Sequence, residues 1–154
     1  MDFATTDVIL AIAHHVLVFS LAGVLAFELG AVRPGMKQPE IARVAGVDLW
    51  YGILAAAIII VGFMRANFAG KGWEYYSHNG FFWSKIGTFA LVGVLSIMPT
   101  LAFIRWRRLA KADQSFTPAE VDLRTVKRFL WAEAGLFLLI PIFAALMARG
   151  YGAH

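Results

Sequence analysis

The chain contains no cysteine. Disulfides, thiolate zinc sites and cysteine-ligated iron–sulfur clusters are therefore excluded. Charge is scarce as well: Asp, Glu, Lys and Arg make up 16% of the 154 residues, whereas soluble domains carry about 25%. Hydrophobic residues reach 60% and mean hydropathy is +0.68, too apolar for the core of an ordinary soluble domain and suited to a bilayer. Acidic residues are outnumbered, 10 against 14 basic ones. In so apolar a chain this basic excess reports membrane orientation, not nucleic-acid binding. The N-terminus also lacks the positive region of a signal peptide, with Asp2 and Asp7 in its place. Its long apolar stretch is expected to stay as a first spanning helix. Internal repeats and low-complexity tails are missing.

What is present is four apolar stretches, each near the ~20 residues a spanning helix needs. They run over residues 8–32, 47–64, 80–104 and 129–148 of a single domain covering 1–154. Thr5, Thr6 or Asp7 is expected to cap the first helix, and Thr117 with Pro118 to open the last one well before the bilayer. Lys and Arg crowd the first connection (Arg33, Lys37, Arg43) and the third (Arg105, Arg107, Arg108, Lys111, Arg124, Lys127, Arg128). The middle connection is aromatic, with Trp73, Tyr75, Tyr76, Phe81, Phe82 and Trp83. The positive-inside rule puts the two basic connections in the cytoplasm and both termini outside. The expected fold is all-α: an integral membrane, up-down antiparallel four-helix bundle in a bacterial inner membrane, with periplasmic termini.

On helix 1 the small residues Ala11, Ala22, Ala26 and Gly30 share one side with His15. His14 lies about 100° away, with Asp7, Leu21, Leu25 and Glu28. The small side is expected to receive a neighbouring helix of this chain or of a second copy in a homo-oligomer. Pro99 and Pro141 invite kinks in helices 3 and 4.

Ionisable residues inside spans are costly and mark function by default. They fall in two layers. His14, His15, Arg65 and Lys85 form a nitrogen-rich outer layer. Glu28, Asp48 and Glu133 lie towards the basic connections. Plainer roles exist: Lys85 as a snorkelling lysine, Arg65 as an interface anchor, Asp48 as a charge favourable to a helix N-terminus, and Glu28 and Glu133 as ion-pair partners of Arg33, Lys127 or Arg128, the favoured reading of the two glutamates. His78 belongs to the aromatic loop and His154 to the terminus. The paired histidines in an apolar helix point to a metal or haem ligand, a proton relay or a polar-ligand site. Zinc lacks a carboxylate or thiolate at ligand spacing in that layer. Haem b fits an inward histidine, aromatic walls and rim cations.

Further residues carry a family likeness. A histidine in the first span, "FFWSK" with Trp83 and Lys85 opening the third, and "KRFLWAEAGLFLLI" with Arg128, Phe129 and Glu133 opening the last together resemble HemJ-type protoporphyrinogen oxidases. "IARVAGVDLWYGI" is similar to that family's basic approach to span two, and "RWRR" to the end of its span three. Glu28, Ala132 and Ala134–Gly135 depart from the HemJ pattern, and the doubled histidine and Pro99 look more like the related branch of small bacterial membrane proteins of unknown function. The resemblance implies a haem b-binding membrane protein that oxidises a porphyrinogen; for a redox protein of this apolar kind a quinol is the other expected substrate.

The expected roles follow from both readings. His15, narrowly ahead of His14, supplies the axial metal ligand. Lys85 supplies a second ligand or a propionate contact, Arg65 holds an anionic group, and Trp83 flanks the cofactor. Glu28 and Glu133 carry protons, and with Lys85 they form the catalytic set. The lipid bilayer is the expected surrounding, a porphyrin or quinone the expected small-molecule partner, and nucleic acid is not a partner. The rival reading is a non-enzymatic assembly or scaffold protein, or a small transporter, without cofactor.

Overall fold

The computed structural model describes residues 3–68 and 71–152. Its helices are α1 (Phe3–Ala31), α2 (Gln38–Phe68), α3 (Trp73–Ser77), α4 (Gly80–Ala112), α5 (Glu120–Phe137) and α6 (Leu139–Ala148). Four segments are long and apolar enough to cross a membrane: α1, α2, α4, and α5 with α6 as one unit of 29 residues. At 1.5 Å per residue, that unit reaches about 43 Å, beyond the ~30 Å of a hydrocarbon core. The helices outrun the apolar stretches because their charged ends, such as "RWRRLAKA" of α4, are rich in good helix formers and continue past the hydrocarbon.

The expected caps are not where the helices begin. Thr5, Thr6 and Asp7 lie inside α1. Helix α5 opens after Ala119 with no side-chain cap, leaving Thr117 and Pro118 outside it. Asn79 caps the head of α4. Its Oδ1 accepts from the backbone N–H of Phe81 at 3.0 Å and of Phe82 at 3.3 Å, and its Nδ2 donates to the Tyr151 carbonyl at 3.0 Å.

Packing follows a ring: α1 against α2, α2 against α4, α4 against α5, and α5 back against α1. This is the expected up-down bundle. The sides exposed to lipid are as apolar as the interior, with Phe19 at 72% exposure and Leu101 at 61%. The inward face of α1 carries Leu21, Leu25 and Glu28. Ala26, Gly30 and His15 are exposed, so the small-residue side does not receive a neighbouring helix of this chain along its length.

The two prolines behave differently. Pro99 sits within an unbroken α4. Pro141 cannot donate to the Phe137 carbonyl, and the helix is interrupted at Leu138, between α5 and α6. Beyond the break the chain leaves α1: α5 packs on α1 and α4, whereas the backbone of α6 lies against α4 and α5 and not against α1. The fully buried side chains Trp106, Phe103, Ile41, Val44, Val126 and Leu130 fill the end of the bundle with the basic connections. The aromatic end, where α6 parts from α1, is left hollow.

Candidate functional site

The hollow is a cavity of about 680 Å³, within the range of small-molecule and cofactor sites. Helix α1 contributes His14, His15, Val18, Phe19 and Ala22; α2 contributes Gly62, Arg65 and Ala66. Lys71, Tyr75 and Tyr76 close one side, and Phe82 and Lys85 come from α4. Phe137 lies at the end of α5, and Ile140, Pro141 and Ala144 belong to the diverging α6. The expected outer layer of His14, His15, Arg65 and Lys85 is therefore brought together around one space.

The two histidines are not equivalent. His15 is exposed, and its Nδ1 lies 2.6 Å from the Ala11 carbonyl of its own helix. His14 points into the bundle. A Cβ on Gly62 would come within 3.3 Å of its Cε1, a tight contact, so α2 passes close to this ring. The His14 Nδ1 is buried with no hydrogen-bond partner among the described residues. The rings stand edge to face with centroids 6.4 Å apart.

Charge in the cavity has one sign. Arg65, Lys71 and Lys85 line it with no carboxylate, and Arg65 Nε is buried without a partner. Lys71 Nζ lies 4.3 Å from the Tyr75 ring centroid and donates to the Tyr75 hydroxyl at 3.2 Å; that hydroxyl donates to the Met147 carbonyl at 3.2 Å. Lys85 Nζ lies 5.3 Å from the Phe82 ring centroid. Buried donors that lack protein acceptors call for an acceptor from a ligand or water, so the cavity suits an anionic group on an apolar body. Trp83 stands apart: it is 53% exposed, its Nε1 donates to the Ser77 carbonyl at 2.9 Å, and it does not line the cavity. His78 Nδ1 lies 2.8 Å from the Glu74 carbonyl in the α3 turn, and His154 lies outside the described residues.

A second polar group occupies the filled half. Glu28 and Glu133 are 2% and 1% exposed, and Asp48 is 7%. The Tyr51 hydroxyl donates to Glu133 Oε2 at 3.2 Å, and the Thr100 hydroxyl donates to Asp48 Oδ1 at 2.8 Å. Oε1 of both glutamates has no partner among the described residues. The expected ion pairs to Arg33, Lys127 or Arg128 are absent among the described residues: Arg33 instead pairs with Glu40, whose carboxylate also accepts from the Lys37 N–H at 3.0 Å. Asp48 is not a helix-opening charge either, since α2 begins ten residues earlier at Gln38. Glu133 is one helical turn, about 6 Å, from Phe137 at the cavity wall. No group of three or more His, Asp or Glu among the described residues is placed to hold a metal ion.

The pattern of the sequence pointed to four of the cavity residues but missed Lys71, Tyr75 and Gly62, and it missed Tyr51 and Thr100 in the inner cluster. Asp48 and Tyr51 are three apart and so share a helix face; that spacing was the available signal. The others depend on how separate helices meet.

No curated protein and no solved structure matches the chain. Residues 6–152 match the profile of DUF2214, described as a predicted membrane protein. With four apolar helices forming a bundle around this cavity, the chain belongs to the DUF2214 family of membrane proteins.

Proposed function

We propose that this protein binds haem b in the cavity at the aromatic end and uses it in redox chemistry on a porphyrinogen, the activity that the likeness to HemJ-type protoporphyrinogen oxidases implies, or on a quinol. The observation that carries the reading is the convergence on one apolar space of about 680 Å³ of an inward histidine and three cations that make no salt bridge among the described residues. The residues fit the group. The aromatic and aliphatic walls match a porphyrin face, and Arg65, Lys71 and Lys85 would hold its propionates. His14 would hold the iron in preference to His15, because its ring faces inward with an Nδ1 unpartnered among the described residues while His15 is exposed and close to its own backbone. Lys85 would hold a propionate or the iron.

Haem, when bound, supplies one-electron chemistry, and the protein sets its potential through the axial ligand and burial. The chain's own part is to exclude water and manage protons. Glu28 and Glu133 hold protons at their unpartnered oxygens, and the Tyr51 hydroxyl keeps Glu133 oriented one turn from the cavity. The proposed setting is a bacterial inner membrane with both termini periplasmic. The exposed Ala26 and Gly30 of α1 remain available for packing in a homo-oligomer.

An absorbance spectrum of the detergent-purified protein tests this. A Soret band that shifts on dithionite reduction is expected. A colourless preparation, from cells supplied with haem precursor, removes the reading and favours the non-enzymatic scaffold or transporter.

A further inference from the structure

A second groove, of about 400 Å³, opens between α2 and α4 at the basic end, far along α4 from the cavity just described. Ala45, Ile104, Arg107, Arg108 and Lys111 line it, with no acidic residue. The acids nearby in sequence are already engaged. Asp122 accepts from Arg105 at 2.6 Å, Glu40 pairs with Arg33, and Asp113 Oδ1 accepts from the Ser115 hydroxyl at 2.7 Å and its N–H at 2.8 Å. Arg107, Arg108 and Lys111 make no salt bridge among the described residues.

From this cationic end the two helices run towards the bilayer centre with apolar, exposed faces. On α4, Ile104, Leu101 and Ile97 follow one another at helical spacing with exposures of 49%, 61% and 54%. On α2, Leu49 and Ile53 continue the side that starts at Ala45, with exposures of 64% and 46%. Charge above and an apolar track below is the pattern of an amphiphile with an anionic head.

We propose that this groove seats an anionic phospholipid, with its headgroup phosphate on Arg107, Arg108 and Lys111 and an acyl chain along Ile104, Leu101 and Ile97. Clustered Lys and Arg at a span end bind anionic headgroups, each contributing separately to the attraction. Guanidinium groups suit phosphate because they donate in a fork that matches its oxygens. The commitment to a lipid over a free anion rests on the exposed apolar track that continues the groove. This site stands whether or not the cavity at the other end takes haem.

The test uses delipidated full-length protein in neutral detergent and follows its melting temperature with added phosphatidylglycerol, phosphatidylcholine or inorganic phosphate. Phosphatidylglycerol is expected to raise the melting temperature, and the other two are not. Removing three cations in R107Q/R108Q/K111Q is expected to weaken the phosphatidylglycerol effect about a hundredfold in lipid concentration. The matched triple R124Q/K127Q/R128Q is expected to keep it. All three lining cations are exposed, so the variant retains its core; if it does not fold, the single changes R107Q, R108Q and K111Q are each expected to weaken the effect about fivefold. Equal stabilisation by phosphatidylcholine, an effect surviving in R107Q/R108Q/K111Q, or an equal effect of inorganic phosphate alone would each overturn the proposal.

Discussion

Glu133 is 1% exposed, and one of its two oxygens has a partner, the Tyr51 hydroxyl. Such a group is costly to keep in an apolar interior unless it exchanges protons or anchors a neighbour. The two uses separate by mutation. Glu133→Gln retains an acceptor for Tyr51 but loses the exchangeable proton, so substrate turnover should fall about a hundredfold, within the usual span of acid–base catalysis, with cofactor content unchanged. Normal turnover in a stable Glu133→Gln protein would remove the proton role. Tyr51→Phe leaves the carboxyl without its donor and should cost about 1–3 kcal/mol of stability, read as a lower melting temperature. Which residues were polar inside the spans was plain from the sequence, but their partners were not. Glu28 and Glu133 sit near Arg33 and Arg128 along the chain, which suggested ion pairs. In the folded bundle Arg33 turns to Glu40 and both glutamates turn inward.

At the scale of helices, each of the four apolar stretches falls on one of the four long apolar segments of the structure, but the small residues of α1 do not mark the side that packs within the chain. In a soluble helix the apolar stripe marks the core. In a bilayer the lipid side is equally apolar, so that contrast vanishes. The polar members Glu28 and His14, one face with Leu21 and Leu25, were the better guide. The break before Pro141 was foreseen as a kink, but its consequence, a helix α6 that parts from α1, lies in the packing. Pro141→Ala restores a donor for the Phe137 carbonyl and should let α5 and α6 run on as one helix. The cavity would narrow, and haem occupancy should drop at least about tenfold, a loss of about 1.4 kcal/mol of binding, without a lower melting temperature. Full occupancy in that variant would show that the break does not make the cavity. Asn79→Ala removes the α4 cap and the hold on Tyr151, and a loss of about 1–3 kcal/mol is expected in thermal or chemical unfolding.

The whole molecule is filled at its basic end and hollow at its aromatic end, and orientation decides which side of the membrane each end serves. The basic connections should hold the filled end in the cytoplasm. A phosphatase fused at the C-terminus is expected to be active, and an inactive fusion with an active cytoplasmic reporter would invert the topology and turn the cavity inward. The proposal that a haem sits in the hollow end on His14 is read from the Soret band of the wild type, His14→Ala and His15→Ala proteins, purified side by side and reduced with dithionite. A strong band is expected in wild type, with its loss in His14→Ala and its persistence in His15→Ala. An unaltered band in His14→Ala, or no band in the wild type, would contradict it.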